Sequence, residues 1–153
     1  MKIYIGADHR GFKLKKKVIP LIEHLGYRVV DVGIDKEGVI CDYPKISYDV
    51  ASRVVKDKGS RGILVCMTGI GHSIAANKIL GAHAALCYTR RAAQLSREHN
   101  NANILVIGAK FVRRKEISNI IRTWLKSKFT GGRHLRRVNQ IRKIEKEICK
   151  SVQ

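Results

Sequence analysis

The chain has 153 residues, of which 44% are hydrophobic and 6% aromatic, so it is long enough to bury an aliphatic core as one domain. It carries 31 lysines and arginines against 12 acidic residues, a formal net charge of +19 that attracts polyanions and speeds the arrival of phosphorylated substrates. No run of about 18 apolar residues is present, which argues against a membrane span, and the charged residues just after Gly6 argue against a signal peptide.

The first half of the chain alternates apolar runs with amphipathic segments. A β-rich run at 2–8 precedes apolar residues spaced as one helical face from Leu14 to Leu25. Pro20 lies inside that spacing and predicts a kink or a restart of the helix, which Gly26 ends. The elements predicted next are a strand at 27–33, a loop at 34–44, a helix marked by Ile46, Val50 and Val54 that runs to about Lys58, and a buried strand at 61–66.

The second half continues the alternation of strands and helices. The predicted elements are a tight loop at 68–71, a helix at 72–80, a strand at 82–87, a helix at 90–99, a strand at 103–109, a helix around 117–125 and, after Gly131 and Gly132, a last helix at 133–150. The last helix carries apolar residues three and four apart, beyond the final strand, and is therefore free to pack on a partner subunit. These residues are Leu135, Val138, Ile141, Ile144 and Ile148.

Five strands alternating with helices predict an α/β fold, namely a single-domain, Rossmann-like five-stranded parallel sheet over residues 1–153 with helices on both faces. Ligands of such sheets bind beyond the carboxyl ends of the strands, near the switch in strand order. Polar, chemically capable residues fall at three such ends: Asp8 and His9 after the first strand, Cys66 to Gly71 after the third, and Lys110 after the fifth. We therefore expect the site at this edge.

The four cysteines lie far apart without a C-x-x-C pair, which argues against a zinc or redox motif and for a reducing, cytoplasmic setting. Cys66 ends a buried strand and precedes a glycine loop that opens a helix, where unpaired N–H groups favour a thiolate. We expect its pKa to fall below the free value of about 8.5. A cysteine at a strand end also serves as plain packing, and the adjoining loop favours function.

Two further groups invite both a structural and a functional interpretation. His99 ends a helix, where it can cap the carbonyl groups, and an imidazole at this position can also move protons between substrate oxygens. Arg133 and Arg137 share a helix face and can clamp a phosphate, although an arginine pair arises easily by chance in so basic a segment. The loop Gly69-Ile70-Gly71 lacks the third glycine of a dinucleotide fingerprint and the lysine of a P-loop.

Five motifs in order carry a resemblance over essentially the whole chain. They are GADHRGF at 6–12, DYP at 42–44, CMTGIGHSIAANK at 66–78, SREHNNAN at 96–103 and GGRHxxR at 131–137. Together they closely resemble the ribose-5-phosphate isomerase type B family, which includes galactose-6-phosphate isomerase subunits. The resemblance implies interconversion of ribose 5-phosphate and ribulose 5-phosphate without a metal or organic cofactor.

The resemblance also implies residue roles and partners. Cys66 matches the proton-transferring base, with Thr68 beside it, and His99 matches the residue that assists ring opening. The matching substrate-binding residues are Asp8, His9, Tyr43, Met67, Gly69, Ile70, Gly71, Asn100 and Lys110, with Arg133 and Arg137 on the phosphate. Family members are dimers or tetramers with sites at the subunit boundary, so a homodimer or tetramer acting on a small sugar phosphate is expected.

Three positions depart from the family pattern, which usually has glycine at Met67, arginine at Lys110 and an apolar residue at His72. Met67 would be strained if its backbone needed a positive φ. We expect altered substrate preference more readily than loss of activity. Ala75 stands where one subgroup uses a glutamate base, so this chain is outside that subgroup.

Three alternatives stay open. The first is an isomerase of a six-carbon sugar phosphate, such as allose or galactose 6-phosphate. The second is a non-catalytic polyanion- or RNA-binding protein, which the high positive charge favours. Because no nucleic-acid-binding motif accompanies this charge, we interpret the charge as a solvated surface. We therefore expect neither a nucleic-acid nor a membrane partner. The third is a cysteine hydrolase with Cys66 and His99 as a dyad, for which no orienting residue can be named.

Overall fold

The computed structural model describes residues 1–151, which form five parallel strands and six helices. The elements are β1 Lys2–Ala7, α1 Phe12–His24, β2 Arg28–Asp31, α2 Tyr43–Lys56, β3 Arg61–Cys66, α3 Ile70–Ala76, β4 Ala84–Leu86, α4 Arg90–Asn100, β5 Ile104–Gly108, α5 Arg114–Lys126 and α6 Arg133–Ser151. The predicted α/β fold with a five-stranded parallel sheet is confirmed. Within residues 1–151, the helices are too short or too polar to cross a membrane.

The strands lie in the order β2-β1-β3-β5-β4. From β1 the chain adds β2 on one side, and the remaining strands are added on the other side, so the order switches between β1 and β3. In sheets of this kind the segments that follow the two strands diverge at the switch, and ligands bind between them at the carboxyl edge. Asp8 follows β1 and Cys66 ends β3, which places both at the switch.

Alternating side chains of the strands form two buried layers. One layer, with α1, α4 and α5, includes Ile5, Ile63, Leu105, Val18, Ala93 and Trp124. The other, with α2 and α3, includes Tyr4, Leu64, Val106, Val50 and Ala76. Because both faces are covered by apolar helix surfaces, the central strands β1, β3 and β5 are apolar over most of their length, as the sequence predicted. The predicted helices on both faces are confirmed.

Pro20 does not divide α1, which runs as one helix from Phe12 to His24. Proline lacks the amide hydrogen that would bond the carbonyl of Lys16. Both residues lie on the exposed side of α1, where water can reach that carbonyl. The restart of the helix predicted from the sequence is therefore wrong.

The last helix, α6, packs against α4 and buries Val138. The rest of its apolar stripe is exposed to between 43% and 58% in the described part of the chain, and we call these residues the apolar face of α6: Leu135, Ile141, Ile144 and Ile148. Packing of this face on a second subunit stays a prediction.

Candidate active site

Three buried side chains meet at the switch in strand order: Asp8 after β1, Cys66 at the end of β3 and His72 in α3. Their exposed fractions are 7%, 6% and 0%. One carboxylate oxygen, the thiol sulfur and one ring nitrogen all lie within 4.8 Å of one another. The structure therefore gathers an acid, a thiol and an imidazole where the sequence predicted a site.

The loop after β3 folds back on the thiol of Cys66. Gly69 has a φ of 85°, a conformation that glycine adopts without strain, and its N–H donates to Sγ over 2.9 Å. Burial raises the pKa of the thiol, the Gly69 N–H lowers it, and the carboxylate of Asp8 raises it again. The predicted fall of the thiol pKa is wrong, because the loss of hydration outweighs the hydrogen bonds from the loop.

Asp8 is fixed by the turn that it begins. Its Oδ1 accepts N–H bonds from Arg10 at 3.0 Å and from Gly11 at 2.9 Å, which leaves Oδ2 for another partner. A Cβ atom at Gly11 would lie 2.0 Å from the carbonyl oxygen of Val65, so only glycine lets this turn approach the end of β3. The close approach brings the Asp8 carboxylate to Cys66.

His72 was not among the predicted site residues, although it follows the glycine loop directly. Its Nδ1 lies 2.6 Å from the hydroxyl of Ser47, which donates in turn to the carbonyl of Tyr43 at 2.9 Å. Because the one hydrogen of the hydroxyl is directed to the Tyr43 carbonyl, we assign the imidazole proton to Nδ1 and the lone pair to Nε2. Nε2 is buried and has no partner within residues 1–151, and burial lowers the pKa of His72 to about 4. The imidazole is therefore neutral at pH 7.

The loop from Met67 to Gly71 is tied to its neighbours by several hydrogen bonds. The hydroxyl of Tyr88, which sequence analysis missed, donates to the carbonyl of Thr68 at 3.0 Å, and the N–H of Ile70 donates to Thr68 Oγ1 at 3.3 Å. Met67 is 39% exposed, and among residues 1–151 the one non-glycine residue with a positive φ is Asn101. The strain considered for Met67 is therefore absent.

Three other predicted site residues surround this loop. The ring of Tyr43 lies against Gly71, since a Cβ there would be 2.7 Å from the ring, and it meets His72 edge-on with the ring centroids 5.9 Å apart. His9 is exposed, with Nδ1 3.3 Å from the carbonyl of Cys41. The side chain of Lys110 is exposed, and its backbone N–H donates to the carbonyl of Met67 at 2.9 Å.

The remaining predicted residues form a separate group near the amino ends of the strands, opposite Cys66. They are His99, Asn100, Arg133 and Arg137. The ring of His99 stacks on that of His134 with centroids 4.1 Å apart, a contact that sequence analysis missed. Loss of hydration, followed by the neighbouring His99, Arg133 and Arg137, lowers the pKa of His134. These four side chains therefore lie together, and we call them the cationic cluster after its two guanidinium groups.

The separation of the two groups follows from the direction of α4. This helix starts after β4 and ends at Asn100, whose carbonyl is 3.3 Å from Nδ1 of His83 just before β4. Its 11 residues span about 16 Å. Within one chain, the structure therefore does not bring His99, Asn100 or the two arginines to Cys66.

Comparison with known proteins gives consistent matches over nearly the whole chain. Residues 3–141 match the family model described as Ribose/Galactose Isomerase. The chain is 40% identical over 144 residues to ribose-5-phosphate isomerase B of Escherichia coli, covering 94% of this chain and 96% of that protein. It is 40% identical over 146 residues to a probable ribose-5-phosphate isomerase B of Mycoplasma genitalium, covering 95% and 96%.

Solved structures show the same similarity. Ribose-5-phosphate isomerase B of Clostridium thermocellum has a TM-score of 0.93 and 44% identity, with coverage of 97% of this chain and 99% of that one. The Mycoplasma genitalium ribose-5-phosphate isomerase B, solved with bound ribulose-5-phosphate, has a TM-score of 0.91 and 40% identity, with coverage of 95% and 97%.

Proposed function

Because the chain belongs to the ribose/galactose isomerase family and is a sugar-phosphate aldose–ketose isomerase, we propose that it interconverts ribose 5-phosphate and ribulose 5-phosphate with Cys66 as the base. The observation that carries the proposal is the position of the thiol. Cys66 lies at the switch in strand order, under a glycine loop and beside Asp8. A substrate carbon bound beneath this loop, next to the thiol, is within reach of the sulfur.

The proposed chemistry is a proton transfer between neighbouring carbons. The thiolate takes the proton from C2 of the aldose, and the C1 carbonyl becomes an enediolate oxygen. The proton of the C2 hydroxyl then passes to the C1 oxygen, and the same sulfur returns its proton to C1, which leaves a carbonyl at C2 and gives the ketose. The Gly69 N–H supports the thiolate that forms. The N–H of Gly71, in the first turn of α3, has no acceptor inside the helix and is suited to the enediolate oxygen. Thr68, Met67 and Ile70 complete the loop over the reacting carbons.

The residues around the loop are proposed to bind the sugar. Asp8 and His9 follow β1, Tyr43 covers Gly71, and Lys110 is joined to the loop through the Met67 carbonyl. They orient the hydroxyl groups of the substrate, which keeps the reacting carbons within reach of the base.

The phosphate and the ring oxygen are assigned to the cationic cluster of a second copy. His99 with Asn100 assists ring opening, and Arg133 with Arg137 clamps the phosphate. These residues are about one helix length from Cys66 in the same chain. We therefore propose a homodimer or a tetramer in which one protomer supplies the thiol and its partner supplies the cations, with the apolar face of α6 covered in the assembly.

A six-carbon sugar phosphate is the second candidate substrate, because the matching family model includes galactose isomerases. The backbone around Cys66 would support isomerisation of both five- and six-carbon sugar phosphates, since the proton transfer between C1 and C2 is the same in both. Steady-state kinetics on ribose, allose and galactose phosphates would distinguish them, since the preferred substrate has the highest kcat/KM.

The test of the proposed function is an isomerase assay on ribose 5-phosphate with wild-type protein, Cys66→Ala and the control Cys149→Ala. Cys149 is an exposed cysteine of α6, so its removal controls for general effects of losing a thiol. We expect activity in the wild type and the control, and a loss of at least about 100-fold in Cys66→Ala, as for removal of a catalytic proton carrier. Full activity of folded Cys66→Ala would overturn the assignment of the base, and a folded wild type inactive on both five- and six-carbon phosphates would overturn the proposed reaction.

A further inference from the structure

We propose that Asp8, Cys66 and His72 form a binding site for a divalent transition metal ion of the zinc type, and that occupation of this site inhibits the isomerase. The three donor atoms are a carboxylate oxygen, a sulfur and an imidazole nitrogen, all within 4.8 Å of one another. These are the donor types that bind zinc. The inhibition rests on the proposed function, since it requires Cys66 to be the base, whereas binding of the metal does not.

An independent observation at His72 points to a ligand. This side chain is 0% exposed, and its Nε2 has no hydrogen-bond partner among residues 1–151. A buried nitrogen without a partner costs about 1–3 kcal/mol, so such a group calls for an explanation. With the Ser47 hydroxyl donating to Tyr43 and the imidazole proton assigned to Nδ1, Nε2 presents a lone pair, which is the form that binds a metal.

Each proposed ligand is already held by one or two hydrogen bonds from outside the cluster. Ser47 holds the imidazole, the backbone N–H groups of Arg10 and Gly11 hold Oδ1 of Asp8, and the N–H of Gly69 holds the sulfur. Outer partners of this kind fix the orientation of metal ligands and strengthen binding. The free Oδ2 of Asp8 can then serve as the third ligand atom.

Geometry and charge are both compatible with zinc. Donor atoms of a tetrahedral zinc site with bonds of about 2.0–2.3 Å lie about 3.3–3.7 Å apart, so side-chain shifts of about an ångström would close the cluster. Binding releases the thiol proton to solvent, and the carboxylate and the thiolate then neutralise the two positive charges of the ion. A neutral set is less costly to bury than an isolated charge. Sulfur and nitrogen donors favour zinc-type ions over magnesium and calcium.

Inhibition follows because the ion occupies the sulfur. A metal-bound thiolate cannot take a proton from substrate, and an ion on this sulfur would lie next to the loop where the sugar is proposed to bind. The family pattern usually has an apolar residue at position 72, so the resemblance does not supply this ligand. His72 would give this chain a sensitivity to zinc that the sequence motifs do not indicate.

The test uses Co²⁺ as a spectroscopic probe with purified, reduced protein and no substrate. We expect a thiolate-to-cobalt charge-transfer band in the near ultraviolet that saturates at one ion per chain. Cys66→Ala should lose the band, His72→Ile should bind at least about 100-fold more weakly, and Ser47→Ala about 10–100-fold more weakly. Cys149→Ala is the matched control, since the exposed thiol is outside the cluster and the band should be unchanged.

The proposal is overturned if wild-type protein gives no such band, or if the band is equally strong in folded Cys66→Ala or His72→Ile. Circular dichroism establishes folding, and Ser47→Ala takes the place of His72→Ile if the latter does not fold. In a second arm, Zn²⁺ should inhibit the wild-type isomerase reversibly and His72→Ile much less. The cobalt arm needs no catalysis, so a failure of the proposed reaction and a failure of the metal site give different results.

Discussion

Two inactive variants of this protein should restore activity when they are mixed, provided that each active site combines two protomers. One variant is Cys66→Ala; the other is a double variant in which His99 and Arg137 are replaced by Ala. An isologous dimer has two equivalent sites, each with the thiol of one chain and the cations of the other. In a mixed dimer one site lacks both groups and the other has both intact. With free exchange half of the dimers are mixed, so about a quarter of the wild-type activity should return.

The assay is ribose 5-phosphate isomerisation after the variants are unfolded together and refolded, with native mass spectrometry to count mixed dimers. A matched control mixes Cys66→Ala with Asp8→Asn. In the wild type, a carboxylate oxygen of Asp8 and the sulfur of Cys66 lie within 4.8 Å of each other in one chain, so both residues belong to the same half of the site. No site of that mixed dimer is intact, so activity should stay at the mean of the parents. If mixed dimers form and the first pair gains nothing over its parents, the division of the site between protomers is refuted.

Three further outcomes are expected. Trp124→Ala should lower the free energy of unfolding in urea by about 3–5 kcal/mol, because the indole is fully buried; a loss below about 1 kcal/mol would contradict this. Hydrogen bonds from Lys2 and Tyr4 lower the pKa of Asp57, so the wild type should melt at a higher temperature than Asp57→Asn above a pH of about 4. This difference in melting temperature should vanish as the pH falls through the lowered pKa. A difference that does not depend on pH would contradict the assignment. Lys110→Arg should lower KM for ribose 5-phosphate about 3- to 10-fold, because a guanidinium forms paired bonds, and an unchanged KM would remove Lys110 from the substrate site.

Most of the fold could be predicted because buried parallel strands have a distinctive local sequence. The apolar run at 61–66 is β3 residue for residue, and its neighbours follow from the crossover rule. The ends of elements that depend on tertiary contacts were less predictable. The strand predicted at 82–87 is only Ala84–Leu86, since β4 pairs with β5 alone, and α2 begins at Tyr43 inside the predicted loop.

The site was predictable where chemistry follows from the end of a strand, and less so where it depends on distant contacts. Asp8, Cys66 and the glycine loop were placed at the carboxyl edge by topology. The direction of the Cys66 pKa was predicted wrongly, because the depth of burial is not visible in the local sequence. His72 is held in the candidate site by Ser47, 25 residues earlier, and His99 meets His134 only when α6 folds against α4.

The strand order has a further consequence for how copies of this chain can associate. The sheet ends in its two shortest strands, β2 with four residues and β4 with three, and β2 begins and ends with the charged Arg28 and Asp31. Edge strands this short offer few unpaired backbone groups in a row, and the charges of β2 add to the effect, so both edges are poor templates for strand addition by another molecule. Association through the sheet is thereby disfavoured, and so is aggregation along its edges. Helix surfaces such as the apolar face of α6 are left as the route by which copies can join without forming open-ended assemblies.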